Sequence, residues 1–201
     1  VLELARRDAE RVFAGKEVGA CAWPQSRIDA AIVAEARKGR RVVRLKSGDP
    51  SIFGRAAEEL AAARVAGIPC VIVPGITAAS AAAAAMGRPL TTRGETDRVI
   101  LATGTCRPGD ADPDWADMLR PGTTLALYMA AGRAGEIAAR LRAAGVPGSV
   151  GIEIAGSVST DRECLRLSDL HSLRDTDVAA PALLILRRPK SAFAETTTVA
   201  A

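Results

Sequence analysis

Histidine is almost absent from this chain, and cysteine is sparse. His171 is the only histidine among 201 residues, and Cys21, Cys70, Cys106 and Cys164 stand too far apart for any C-x-x-C pairing. No ligand spacing suited to zinc therefore exists, and a resident metal is not expected. Most Ser-His and Cys-His hydrolase schemes also fall away, because His171 follows Asp169-Leu170 in a short polar segment and no G-x-S-x-G elbow occurs. Aromatic residues make up only 3% of the chain. The longest alanine-rich run, Ala78 to Met86, stops at Gly87-Arg88-Pro89, far short of the roughly 18 apolar residues that suggest a membrane span. With no secretory h-region and no paired cysteine framework, the expected compartment is the cytoplasm.

The chain does have a core-forming composition, 48% hydrophobic and 25% charged, with a mean hydropathy of +0.12. That lies within the globular range. The net charge of +4 comes from 27 basic residues scattered among 23 acidic ones rather than gathered in a run, so nucleic acid is not the expected ligand. Nearly all the basic residues are arginines, whose planar fork suits carboxylates; a GC-rich coding sequence explains the same bias.

The first residues, Leu2, Leu4, Ala5 and Ala9, sit at helical spacing, as if the chain began inside an element. A helix is expected from Pro24 to Gly39, a strand at Arg41–Leu45, a turn at Gly48–Ser51 and a helix from Ala56 to Ala66 closed by Gly67. The pattern repeats with a strand at Cys70–Val73, a helix from Thr77 to Met86 and a strand at Val99–Ala102. Alternating strands and helices imply an α/β fold with a largely parallel first sheet. The Pro-, Gly- and Asp-rich stretch from Arg107 to Arg120, with a short amphipathic piece at Trp115–Leu119, reads as a connection between two lobes. The expected division is an N-terminal lobe at 1–120, a C-terminal lobe at 121–190 and a frayed tail at 191–201. Strands near Thr124–Tyr128, Val150–Ile154, Cys164–Leu167 and Ala182–Leu186, with a helix from Gly135 to Ala144, give the second lobe a mixed sheet.

Ligands of open α/β sheets settle at the carboxyl ends of strands, which points to the loops after Leu45, Val73 and Tyr128. Lys46-Ser47-Gly48-Asp49-Pro50-Ser51 combines close backbone approach with a fixed acceptor, or forms an ordinary turn. In Pro74-Gly75-Ile76-Thr77-Ala78-Ala79, Thr77 is either a helix N-cap or a hydroxyl for a carboxylate or ribose. Met129 either fills core or rests its thioether on a flat ring.

The order and spacing of Leu45-Lys46-Ser47-Gly48-Asp49-Pro50-Ser51-Ile52-Phe53-Gly54-Arg55, Val73-Pro74-Gly75-Ile76-Thr77-Ala78-Ala79, Pro89-Leu90-Thr91-Thr92-Arg93 and Leu127-Tyr128-Met129 resemble the tetrapyrrole methylase family. The likeness runs from about Arg6 to Leu186 and is nearest to the uroporphyrinogen-III C-methyltransferases of sirohaem and cobalamin synthesis. It implies a two-lobed α/β homodimer that binds S-adenosylmethionine between the lobes and methylates uroporphyrinogen III towards precorrin-2, with no metal, membrane or nucleic-acid partner. Carried over by position, Ser47, Gly48, Asp49, Ile52, Thr77, Ala78, Met129 and Gly156 would contact the cofactor. Lys16 matches a lysine with an active-site role, although by itself a lysine after Val12-Phe13 reads as a solvated strand end. Arg55 and Arg93 are the candidates for the acidic side arms of the substrate.

The family also opens with a Gly-rich strand-to-loop segment and a Tyr-Asp whose aspartate accepts a proton, and neither occurs here. A chain lacking about one β-α unit of its first lobe is therefore expected, with a non-catalytic remnant as one alternative and a sister methylase of a later corrin precursor as another. Substrate-side motifs depart as well: Thr91-Thr92-Arg93 stands for Thr-His-Arg, Thr103-Gly104-Thr105 for a Thr-Gly-His turn, and Ile154-Ala155-Gly156 for Glu-Asn-Gly.

Overall fold

In the computed structural model, residues 2–15, 23–106 and 109–190 are described. The chain forms two compact units, 1–74 and 75–201. This division falls at Pro74, whereas the sequence puts a lobe boundary near Pro121.

The first unit is built on two packed helices, α1 (Gln25–Arg37) and α2 (Ala56–Val65). Pro24, with φ fixed near the helical value, precedes α1. Gly39 follows it in the left-handed region at φ 78°, where glycine carries no Cβ penalty. Ala56, Glu59 and Ala63 are the buried residues of α2, one helical face at i, i+3 and i+7. Two expectations fail in this unit. Leu2–Leu4 is a short 3₁₀ turn with exposed leucines rather than the start of a helix: no core receives its apolar residues. Arg41–Leu45 and Cys70–Val73 form no β-ladder, so the largely parallel first sheet is absent from the described residues. β-Branched residues favour a pleated backbone, but a strand exists only through its partner's hydrogen bonds, and these segments have no such ladder.

The second unit holds one five-stranded mixed sheet in the order β1-β2-β5-β3-β4. The strands are β1 (Arg98–Thr103), β2 (Thr123–Tyr128), β3 (Gly151–Gly156), β4 (Cys164–Asp169) and β5 (Ala182–Arg188). Only β1 and β2 run parallel; β2–β5, β5–β3 and β3–β4 are antiparallel. β1, expected in the first lobe, thus belongs to this sheet. The central strands β2 and β5 are buried on both faces, which explains their uninterrupted apolar runs. Leu125, Leu127, Ile152, Ile154, Leu184 and Leu186 pack on one face with helices α4 (Trp115–Met118) and α5 (Ala134–Ala143). On the other, Ala126, Ala155, Leu183 and Ile185 meet Ala79 and Ala82 of helix α3 (Ala78–Ala85). The alanines let this helix lie close against the sheet.

A buried ion network ties α3 to the sheet. Glu153, 1% exposed on β3, receives Arg187 at 2.6 and 3.0 Å and Arg88 at 2.8 Å. Arg187 also donates to the Pro89 and Arg88 carbonyls at 2.6 and 3.0 Å. The segment leading from α3 to Arg93 is held by these bonds. No helix among the described residues is long and apolar enough to cross a membrane.

Candidate functional site

Within the first unit the 47–55 loop folds tightly on itself. Asp49 Oδ1 accepts the Ser51 N–H at 2.7 Å, an Asx-type turn that fixes the aspartate. A Cβ on Gly54 would lie 2.5 Å from the Pro50 carbonyl oxygen, so this close approach admits only glycine. Phe53 and Arg55 flank Gly54 with φ of 51° and 58°, a region that costs non-glycine residues on the order of 1 kcal/mol each and that concentrates at functional turns. Pro50, Phe53, Leu60 and Ile72 help to line a cavity of about 290 Å³ beside this loop.

What anchors the loop is Glu59, which the sequence reading missed. Lys46, immediately before the loop, places its ammonium 2.8 and 2.9 Å from the two Glu59 oxygens, and both side chains are only 10% exposed. Arg44 Nε and Gln25 Nε2 also donate to Glu59, at 3.2 and 3.4 Å. A glutamate on the buried face of α2 was the available signal, since such a group needs cations.

The second unit brings Thr77, Ala78, Tyr128 and Met129 to one place. Thr77 occupies the N-cap position of α3, yet its side chain makes no capping bond. The Tyr128 hydroxyl takes that role, accepting the Ala79 N–H at 3.1 Å while lying 2.5 Å from Thr77 Oγ1. Met129 follows in the left-handed region with φ 56° and is half exposed. Gly104 supports this turn: its N–H donates to the Tyr128 carbonyl at 2.7 Å, and a Cβ there would stand 2.7 Å from the Cα and Cβ of Ala130. Tyr128 was legible as the chain's only tyrosine, set at a strand end beside Met129.

The remaining candidates are placed differently. Gly156 is buried as the last residue of β3, paired with Cys164 and Ala182. Ile52 is half-buried within the 47–55 loop, while Gly48 has φ 71°. Arg55 already has a carboxylate: Nε and Nη2 donate to Glu58 at 2.7 and 2.6 Å, and this bonding raises its pKa above the usual arginine value. Arg93 is exposed without a partner among the described residues, at the tip of a turn closed by Thr92 and Thr96. Lys16 lies outside the described residues. Among those residues no group of three His, Cys, Asp or Glu side chains is arranged to hold a metal.

Known proteins carry the same pattern. The family model for Tetrapyrrole (Corrin/Porphyrin) Methylases matches residues 1–166. Siroheme synthase 1 of Serratia proteamaculans is 42% identical over 188 residues, covering 92% of this chain and 40% of that protein. The chain therefore spans well under half the length of this relative. Among solved structures, uroporphyrin-III C-methyltransferase from Thermus thermophilus, complexed with S-adenosylhomocysteine, superposes with a TM-score of 0.74 at 32% identity, covering 90% of this chain and 77% of that one. A cobalt precorrin-4 methyltransferase, at 23% identity and a TM-score of 0.73, shares the fold. Loops that the sequence aligned to one family thus sit on that family's mixed α/β framework, and the chain belongs to the tetrapyrrole methylases.

Proposed function

We propose that this chain binds S-adenosylmethionine and methylates carbon atoms of uroporphyrinogen III, towards precorrin-2 in sirohaem or cobalamin synthesis. A cytoplasmic homodimer belongs to the same proposal. The observation that carries it is the arrangement around α3, where the Tyr128 hydroxyl caps the helix and leaves the Thr77 hydroxyl beside an exposed Ala78 and the left-handed Met129. The donor set fits the cofactor: first-turn N–H groups and a hydroxyl suit carboxylate or ribose oxygens, and a thioether suits a flat ring. The fixed Asp49 carboxylate and the tight 47–55 loop supply acceptors for hydroxyl or amino groups.

When bound, S-adenosylmethionine supplies an electrophilic methyl group on a sulfonium, itself a good leaving group. The chain's part is placement. Thr77, Ala78, Met129 and Gly156, and separately Ser47, Gly48, Asp49 and Ile52, hold and orient the donor, which replaces the entropy of a bimolecular encounter. Arg93, exposed and without a partner among the described residues, presents its guanidinium to a carboxylate side arm of the acceptor. Arg55, engaged by Glu58, takes part only if a substrate carboxylate displaces that partner. The methylated ring must lose a proton, and Lys16 Nζ is the group assigned to handle it.

Calorimetric titration with S-adenosylhomocysteine tests the cofactor half of the proposal. Micromolar binding, about −8 kcal/mol, that is lost in Asp49→Ala supports it; a folded chain that binds nothing overturns it. Arg93→Ala tests the substrate half: porphyrinogen binding should weaken about tenfold, the worth of one charged hydrogen-bonding group, while S-adenosylhomocysteine affinity stays unchanged. Loss of cofactor affinity alone would contradict the assignment.

A further inference from the structure

A threonine at a helix N-cap ordinarily spends its oxygen on its own helix, accepting an N–H of the first turn. Thr77 does not: it sits at the N-cap of α3, but the Ala79 N–H goes to the Tyr128 hydroxyl at 3.1 Å. Ala79 is fully buried, so this N–H would be costly to leave without an acceptor. The tyrosine, anchored at the end of β2 in the middle of the sheet, supplies the cap from another element. The same phenolic oxygen lies 2.5 Å from Thr77 Oγ1, near the short end of the O–H···O range.

A phenol has one proton and two lone pairs. One lone pair is committed to Ala79. Of the two ways to fill the Thr77 contact, donation from the phenol to the alcohol is favoured, because the phenol is the stronger acid and the alkanol oxygen the better acceptor. Thr77 then keeps its own proton for a third group. We propose that Tyr128 is a positioning residue that relieves Thr77 of capping, turns its hydroxyl into an outward hydrogen-bond donor and so aims it at an anionic or hydroxylic oxygen of the bound cofactor. This inference rests on the cofactor reading above and adds to it a residue and a direction of proton donation. Met129, the next residue, has φ 56° in the turn whose Tyr128 carbonyl accepts the Gly104 N–H.

The test is a double-mutant cycle on the 201-residue chain, with S-adenosylhomocysteine as the probe and thermal unfolding measured in parallel. Tyr128→Phe and Thr77→Val are each expected to weaken binding about tenfold, the worth of one hydrogen bond whose loss leaves a group unsatisfied. If Tyr128 acts through Thr77, the double variant binds no more weakly than the worse single variant. Thr77→Ser, which keeps the hydroxyl, should bind within about twofold of the parent, a margin below the usual worth of a hydrogen bond. Because the chain has a single tyrosine, ¹³Cζ-tyrosine labelling gives one resonance. That line should move on adding S-adenosylhomocysteine to the parent chain and stay still in Thr77→Val at saturating ligand. Additive losses, or full affinity in Tyr128→Phe with an equally lowered unfolding temperature, would reduce Tyr128 to a helix cap and overturn the proposal. Failure of the parent chain to bind S-adenosylhomocysteine would overturn the cofactor reading and this inference with it.

Discussion

Two single residues show how little freedom the second unit leaves. Gly104 is forced by contact, because any Cβ would sit 2.7 Å from two carbons of Ala130. Gly104→Ala should destabilise the chain by about 1–3 kcal/mol, the usual range for overpacking, and should also loosen the Tyr128–Met129 turn that the Gly104 N–H supports. A thermal scan with parallel S-adenosylhomocysteine titration checks both effects; an unchanged midpoint would contradict the close approach. Asp112 is governed by charge. Arg133 donates to both its oxygens at 2.7 Å and Arg140 to one of them, and chiefly the Arg133 bonds lower its pKa from 3.8 to about 2. A carboxylate with a depressed folded-state value stabilises the fold above its unfolded value, and that stabilisation disappears as pH falls through about 2. Asp112→Asn should therefore unfold at lower temperature than the parent at pH 7, with the gap closing between pH 4 and 2. A gap constant across that range would mean that the ion pairs do not stabilise the fold.

At the scale of elements, legibility followed the range of the interactions involved. Helices α1, α2, α3 and α5 were readable because their signals are local: Pro24 before the first, and Gly39, Gly67, Gly87 and Gly145 after them, all left-handed in the structure. Strands β2, β3 and β5 were readable because their apolar runs are buried by neighbours within the same unit; β1 and β4 lie at the sheet's edges and stay more exposed. Arg41–Leu45 and Cys70–Val73 carry the same local pattern, but pairing depends on distant residues that a window of sequence does not contain. The candidate site divides similarly. Thr77 and Met129 came from motif spacing, whereas Tyr128's role depends on a contact 51 residues away in sequence. The Glu153–Arg187–Arg88 network was also out of reach, since a glutamate in a strand ordinarily faces water. Removing Glu153 by Glu153→Ala would leave Arg187, 13% exposed, without its carboxylate, and should cost about 3–5 kcal/mol. Far-UV and near-UV unfolding curves would report it, and a loss under 1 kcal/mol, the scale of an exposed pair, would refute the buried role of the network.

At the scale of the whole chain, the two units differ in how well they bury what they contain. The central strands of the second unit enclose their leucines and isoleucines almost completely, as the near-zero exposure of Leu125, Leu127, Leu184 and Ile185 shows, while Leu165 and Leu167 on the edge strand β4 stay 36 and 62% exposed. The first unit leaves Val43, Val71 and Val73 at 78, 85 and 74% exposure, in segments that form no ladder. β-Branched residues without strand partners are the material of non-native edge pairing, and grouped apolar exposure is uncommon on soluble surfaces. Such segments should bind hydrophobic dyes and promote self-association on concentration. Val43→Lys combined with Val71→Lys should lower dye fluorescence and shift light scattering towards smaller particles. It should leave the unfolding midpoint within the ~0.5 kcal/mol typical of surface changes, because neither side chain contributes to a core. An unfolding midpoint lowered by several degrees would show instead that these valines are packed in solution; unchanged dye binding would place the exposed apolar surface elsewhere.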